Sequence, residues 1–320
     1  MKTPVTVVTG YLGSGKTTLI SRLLAHPEMG ETAVIVNELG EVGIDHHLVS
    51  RVDERTVLLS SGCVCCSLRG DLADELRDLL NRRDAGEVPP FRRVVVETTG
   101  LADPTPIVRT LLTEPMLRHH VALGAVVATV DAVHGLRGPE SRKQAAVADV
   151  LVLTKTDLAD GAAVAAELAS LNPPGELVPA VRGDIHPDRL FARPLHDPLR
   201  LTRGRDTVSQ AAVSHDGDVR AVALVLEQPL DWLAFGIWLT MLLQARGQDV
   251  LRVKGFLDVG GEGPLLVNAV QHAVHDPVHL PAWPDGDRRS RLVFIGRGIA
   301  PEQLERSLRA FDRAARGTAQ

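Results

Sequence analysis

The chain opens with a short β-branched run, Val5-Thr6-Val7-Val8. It leads directly into Gly10-Tyr11-Leu12-Gly13-Ser14-Gly15-Lys16-Thr17, and then into a stretch, Thr18 to Leu24, patterned as a helix. No other segment restricts the possible folds as much. Gly-x-x-x-x-Gly-Lys-Thr set between a buried strand and a helix is a phosphate-cradling loop of an α/β domain. Gly10, Gly13 and Gly15 let backbone N–H groups converge on phosphate oxygens, and the following helix turns its positive end towards them. In that arrangement Lys16 sits on the β- and γ-phosphates and the Thr17 hydroxyl ligates Mg²⁺, with Ser14 and Thr18 in the same phosphate-binding set. A glycine-rich turn without ligand is the plain alternative, and the strand–loop–helix context argues against it.

Further parts of a nucleotide switch follow in order. Arg93-Val94-Val95-Val96-Glu97 reads as a second buried strand ending in a carboxylate, the position from which an acid approaches the Mg²⁺. It runs into Thr98-Thr99-Gly100-Leu101-Ala102-Asp103-Pro104, where the Gly100 N–H is placed to sense a γ-phosphate. Ala125 to Asp131 and Val150 to Leu153 are two more strands, and the second ends in Thr154-Lys155-Thr156-Asp157. This is a variant of the guanine-reading Asn-Lys-x-Asp: Asp157 accepts two hydrogen bonds that guanine offers and adenine does not, and the Lys155 stem covers the base. Against adenine the carboxylate would stay unpaired, which is how such a site discriminates. Thr154 in place of Asn is a departure expected to loosen the support of this loop. GTP and GDP are thus the expected ligands. Lys16 is the expected charge stabiliser, with Glu97 and Asp103 as candidates for orienting water. No glutamine or arginine finger can be assigned, so slow turnover is expected.

The three cysteines of the chain all fall within Cys63-Val64-Cys65-Cys66. A disulfide framework would use an even number spread along the sequence, and nothing at the amino terminus resembles a secretion signal. A reducing cytoplasmic setting is therefore expected, in which clustered thiols read as metal ligands or redox groups. Three thiolates suit Zn²⁺ or another borderline-soft ion and leave one position for an exchangeable ligand. A strand at Ala33 to Val36 delivers Glu38, Glu41 and Asp45 on a loop at the place of a first switch region. Glu38 or Glu41 could meet the ion held by Cys63, Cys65 and Cys66, which would let the nucleotide alter metal affinity. His46 and His47 come next in line, and the spacing of His272, His275 and His279 is broken by Pro277.

In Gly10–Thr18, Asn37–Asp45, Gly62–Asp71, Glu97–Pro104 and Thr154–Asp157 the chain resembles the CobW family of P-loop GTPases, kin of the nickel-insertion GTPases of urease and hydrogenase maturation. Within that family it is most similar to the YjiA-type branch, which also carries Thr at the position of Thr154. Late segments, Leu251 to Gly255 and Leu292 to Gly296, resemble the family's carboxyl-terminal domain. The resemblance implies a slow GTPase that binds Zn²⁺ or Co²⁺ and hands the metal to a client metalloprotein. Many family members have a histidine-rich loop between domains. Here only His215-Asp216 lies nearby, which argues against a high-capacity metal store.

A length of 320 residues with 44% hydrophobic content supports two cores. The expected organisation is a doubly wound, mostly parallel P-loop α/β domain over 1–182, a linker over 183–212 rich in Arg, Asp, Pro and Gly, and a smaller α+β domain over 213–320. Helices are expected over Asp71–Leu80, Pro106–Leu117 and Ala162–Leu171. In the second domain the expected order is strand, helix (Leu230–Gln244), three strands in a mostly antiparallel sheet, and a last helix from Pro301. It carries no catalytic motif and fits client recognition. A net charge of -5 and 3% aromatic residues argue against nucleic-acid binding. No apolar run approaches the ~20 residues that span a bilayer. Self-association stays open. Two other classes remain: a thiol-based metal or redox sensor with incidental GTPase activity, and a small-molecule kinase, for which no acceptor lid or base can be located.

Overall fold

The structure, a computed structural model, describes residues 2–37, 57–61, 70–191 and 219–317. The chain forms two compact units, Met1–Ala166 with Glu176–Leu195, and Glu167–Gly175 with His196–Gln320.

Seven parallel strands make the sheet of the first unit: β1 (Thr3–Gly10), β2 (Thr32–Asn37), β3 (Val57–Ser61), β4 (Arg93–Glu97), β5 (Val121–Asp131), β6 (Val150–Thr154) and β7 (Glu176–Pro179). Their spatial order is β3-β2-β4-β1-β5-β6-β7. The β-branched runs of the sequence are buried without alternation, as strands covered on both faces must be: every residue of β6, and Val94 to Glu97 of β4, is buried. Helix α1 (Lys16–Leu24) turns Leu19, Ile20, Leu23 and Leu24 inward, a spacing of three and four that matches the helical repeat. These side chains pack on Val8, Val34, Val95, Val127 and Val152. From β1 the chain passes over β4 to β2 and β3. It then returns to β4 and passes over β1 to β5. Connections leave β1 and β4 in opposite directions, so the carboxyl ends of these two strands flank the crevice where doubly wound sheets bind ligands.

The other helices of this unit include α2 (Gly70–Asp84), α3 (Thr105–Thr113), α4 (Pro115–His120) and α5 (Gly138–Val147). The single helix expected over Pro106–Leu117 is two helices. Glu114 between them is extended, with φ -70° and ψ 116°, because a following proline disfavours helical geometry at the residue before it. Helix α6 spans Ala162–Leu171, as its alanines predict. Residues 183–191, expected at the head of a linker, carry helix α7 (Asp188–Phe191) and bury Ile185 and Leu190 in the core of the first unit. The remainder of the expected linker, 192–212, lies outside the described residues.

The second unit is an antiparallel sheet of β8 (Arg220–Leu226), β9 (Val250–Leu257), β10 (Leu265–Val270), β11 (Ala273–Val274), β12 (Val278–His279) and β13 (Ser290–Gly296), in the order β11-β10-β9-β13-β8 with β12 on β10. Alternate residues Val222, Leu224 and Leu226 join Phe235, Trp238, Leu239 and Leu243 of α8 (Trp232–Arg246) and Leu304 and Leu308 of α9 (Pro301–Gly317) in one core. Trp238 Nε1 donates to Ser307 Oγ at 2.9 Å and ties the two helices together. Tryptophan here is a packing residue with its one donor satisfied. His272, His275 and His279 fall on and between the short strands, not on one helix.

Candidate functional site

The phosphate loop closes on itself. Ser14 N donates to Tyr11 O at 3.1 Å, and Gly13 and Gly15 take left-handed backbone angles, φ 71° and 95°. Gly10 is obligatory for a different reason: a Cβ there would stand 2.2 Å from Thr129 Oγ1 and 2.6 Å from Thr129 O. The same Thr129 hydroxyl pairs with Ser14 Oγ at 2.6 Å, fastening the loop to β5. Lys16 Nζ donates to Gly10 O at 2.8 Å and to Tyr11 O at 3.2 Å, so the loop's own carbonyls fix the cation. No side chain caps α1 and no acid sits in its first turn, which leaves its amino-terminal N–H groups for an anion.

Thr17 and Glu97, 80 residues apart, meet across β1 and β4, where Val8 is in register with Glu97. Thr17 Oγ1 donates to Glu97 Oε1 at 3.0 Å, and the carboxylate is 1% exposed. A hydroxyl and a buried carboxylate are hard oxygen donors, a set that suits Mg²⁺. The loop after β4 is tightly held. Thr98 Oγ1 donates to Thr9 Oγ1 at 2.9 Å, and a Cβ on Gly100 would stand 2.7 Å from the backbone nitrogen of Leu12 and 2.5 Å from its Cδ2. The backbone of the loop after β4, in the place expected of a second switch region, therefore lies directly on the phosphate loop. Gln144 of α5 donates from Nε2 to Gly100 O at 3.2 Å and Ala102 O at 2.9 Å. Asp103 has both oxygens engaged: Oδ1 accepts from Thr105 N (3.0 Å) and Thr105 Oγ1 (2.6 Å), and Oδ2 from Lys143 Nζ (2.6 Å). It stands two residues before α3 and ties that helix's first residue, Thr105, to Lys143 of α5. That geometry favours a positioning role over direct contact with water. Gln144 and Lys143 carry no motif of their own, and nothing in the sequence marks them as members of this site.

The segment from Thr154 to Asp157, expected to read guanine, is joined to the same loop. Thr154 Oγ1 donates to Ser14 O at 2.7 Å, with both residues buried. The Thr for Asn departure thus leaves the loop supported, contrary to the expectation of loosening. Lys155 has a left-handed backbone, φ 57°, and its Nζ lies 3.4 Å from Asp131 Oδ2. Asp157 is 27% exposed, with the far more open Arg182 Nε 3.7 Å from its Oδ2. Such a solvated ion pair is weak, so a base can claim the carboxylate.

Glu38, Glu41, Asp45, His46, His47 and the thiols Cys63, Cys65 and Cys66 lie outside the described residues. The strands that lead to them do not. Asn37, immediately before Glu38, is in register with Ser61, two residues before Cys63, and Val36 is in register with Glu97. The acidic and cysteine segments therefore follow adjacent strand ends at the carboxyl edge of the sheet, beside the strand that carries Glu97.

A strand-borne phosphate loop, a Thr–Glu oxygen pair, a close-packed second switch and a Thr-Lys-x-Asp segment tied to that loop make this chain a P-loop GTPase. It belongs to the CobW/HypB/UreG family: that family's nucleotide-binding domain matches residues 4–176, and the cobalamin synthesis protein cobW C-terminal domain matches 219–312. Among curated relatives, the zinc chaperone YjiA of Escherichia coli (strain K12) is 34% identical over 309 residues, 94% of this chain and 96% of the relative. The zinc chaperone CobW of Sinorhizobium sp is 29% identical over 337 residues, 92% of this chain and 93% of the relative. A crystal structure of Zn(II)-bound YjiA GTPase from E. coli superposes with a TM-score of 0.73 at 28% identity, covering 97% of this chain and 99% of that one.

Proposed function

We propose that the protein is a metallochaperone GTPase. It binds Zn²⁺, or Co²⁺ in its place, through Cys63, Cys65 and Cys66 with Glu38 or Glu41 beside them, and passes the ion to a client metalloprotein under the control of bound nucleotide. The observation that carries this reading is the strand register. Glu97 of the nucleotide site, Asn37 before the acidic segment and Ser61 before the cysteines end three adjacent strands, a span of roughly 10 Å at the usual spacing between strands. A rearrangement at the γ-phosphate thus has a short route to the metal ligands. The zinc chaperone relatives, matched along nearly the whole chain, support the same choice of cargo.

In this reading the first turn of α1 and Lys16 hold the phosphates and stabilise charge on the transferring group. Thr17 and Glu97 hold Mg²⁺, which supplies further neutralisation of that charge. Gly100 reports the γ-phosphate through its N–H, while Gln144, Asp103 and Lys143 keep the second switch in register. Thr154, Lys155 and Asp157 select guanine, with Asp157 reading the base and Thr154 bracing the loop. Zn²⁺ affinity, measured by chelator competition with GTP·Mg²⁺, with GDP·Mg²⁺ and without nucleotide, tests the coupling. A change of tenfold or more, about 1.4 kcal/mol, supports it and requires metal to shift GTP affinity equally. Equal affinities in the three states refute it, and leave the thiols as a structural or redox group on a GTPase.

A further inference from the structure

Among the described residues, His26, Glu28 and His186 bring two imidazoles and a carboxylate together, with ligand atoms all within 4.8 Å of one another. His186 Nε2 is 3.8 Å from Glu28 Oε2, and the two rings meet edge to face with centroids 4.9 Å apart. The two histidines are 160 positions apart in sequence, so no motif announces the group. Their backbones are well fixed. His26 starts a 3₁₀ turn, Pro27–Met29, which anchors the fully buried Met29. His186 follows the buried Ile185 on a loop whose Gly183 lies against the backbone of Thr18 and Leu19. Met29, Ile185 and Leu190 belong to one hydrophobic cluster, so the core itself holds the two halves of the group in place.

We propose that His26, Glu28 and His186 form a second transition-metal site, of the class that takes Zn²⁺, separate from the cysteine motif and the nucleotide. Two nitrogens and one carboxylate are a borderline donor set that suits Zn²⁺ and is poor for Mg²⁺ or Ca²⁺. With donor bonds of about 2.0–2.1 Å, an ion between His186 Nε2 and Glu28 Oε2 fits the observed 3.8 Å, and small rotations of exposed side chains bring in His26. Asp188 stands where outer support for a ligating histidine is needed: its Oδ2 is 3.6 Å from His186 Nδ1, and loading through Nε2 places the proton on Nδ1, which turns towards that carboxylate and gives up the 3.4 Å bond it now accepts from Asp188 N. Loading through His26 Nε2 moves its proton to Nδ1 and gives up only a long 3.3 Å contact from Glu28 N. The site is at the far end of α1 from Lys16, about 13 Å along a nine-residue helix. The cysteine segment follows the opposite, carboxyl edge of the sheet. The plain alternative is a surface His–Glu pair, which holds no metal.

The test uses the full chain with Cys63, Cys65 and Cys66 all changed to alanine, titrated with Zn²⁺ alone against a chromophoric chelator. One equivalent of Zn²⁺ in the micromolar range is expected to remain. His186→Ala or Glu28→Gln in that background weakens it by at least about tenfold, in line with the sensitivity of metal sites to their supporting groups. Unchanged GDP affinity and unchanged metal-free unfolding show that the added substitution leaves the fold intact. Absence of residual Zn²⁺ binding, or binding that both substitutions leave untouched, overturns the proposal. Because the cysteines are absent throughout, either result is independent of nucleotide-gated binding at Cys63, Cys65 and Cys66.

Discussion

Replacing Thr154 by Val removes the hydroxyl that joins the Thr154-to-Asp157 segment to the phosphate loop while keeping the side chain's shape. The 2.7 Å bond to Ser14 O connects positions 140 residues apart, and both residues are almost fully buried. Loss of the donor leaves a carbonyl unpaired in a site that water does not reach, at a cost of ~1–3 kcal/mol. At about 2–4 °C per kcal/mol for a domain of this size, the apo protein should melt roughly 2–12 °C lower. The bond also links the two loops to which nucleotide binding is assigned under the proposed function, so part of the loss should appear in binding. The rise in melting temperature on adding GDP should shrink, and GDP affinity should fall by up to about tenfold for each 1.4 kcal/mol transferred. Differential scanning fluorimetry with and without GDP, together with GDP titration, reads both effects. Thr154→Ser is the control. It keeps the hydroxyl and loses only the methyl group, which a Cβ on Gly15 would approach to 3.5 Å. If Thr154→Val matches wild type within ~0.5 kcal/mol, or Thr154→Ser is equally damaged, the bond does not carry the support assigned to it.

Gly100→Ala should separate the second switch from the phosphate loop, because the new Cβ meets the backbone nitrogen of Leu12 at 2.7 Å. Overpacking of this kind costs ~1–3 kcal/mol, so turnover of GTP should drop about tenfold or more while GDP still binds; wild-type turnover would refute the close approach. Glu97→Gln preserves an acceptor for Thr17 Oγ1 and removes the buried negative charge. The Mg²⁺ concentration for half-maximal hydrolysis should rise at least about tenfold with apo stability retained. An unchanged Mg²⁺ dependence would remove Glu97 from the metal site.

The strands and the phosphate loop were legible because burial on both faces writes itself into sequence as unbroken apolar, β-branched runs. Arg93 to Glu97 and Val150 to Leu153 were readable for that reason. The end of helix α3 is not legible, since the periodicity of 106–117 continues through Pro115 although the backbone does not. Strands β3 and β7 and helix α5 are not legible: β3 has only three apolar residues before two serines, β7 is four residues long and only partly buried, and α5 has no strong apolar face. At the site, motif residues were visible and their supports were not. Gln144, Lys143, Thr129 and Asp131 act through hydrogen bonds or ion pairs with partners distant in sequence, and such pairs leave no spacing to detect. Thr154 shows the opposite error. Its identity looked like a defect because the motif was read apart from its partner, and the Ser14 carbonyl supplies what the comparison of letters could not.

The strand order also limits how nucleotide and metal could influence one another. Thr17 touches Glu97, Glu97 is in register with Val36, and Asn37 is in register with Ser61. A signal from the γ-phosphate to the cysteines therefore needs no movement of the sheet itself, whose residues Val34, Ile35, Val95 and Val96 are packed without exposure to water. Close-packed interiors of this kind are stiff. Under the proposed function the change then falls to the segments that follow the strand ends, where Glu38, Glu41 and the thiols come next in sequence. Coupling between the two sites then requires two arrangements of those segments with different metal affinities, because a ligand can shift only an equilibrium between states that it binds unequally.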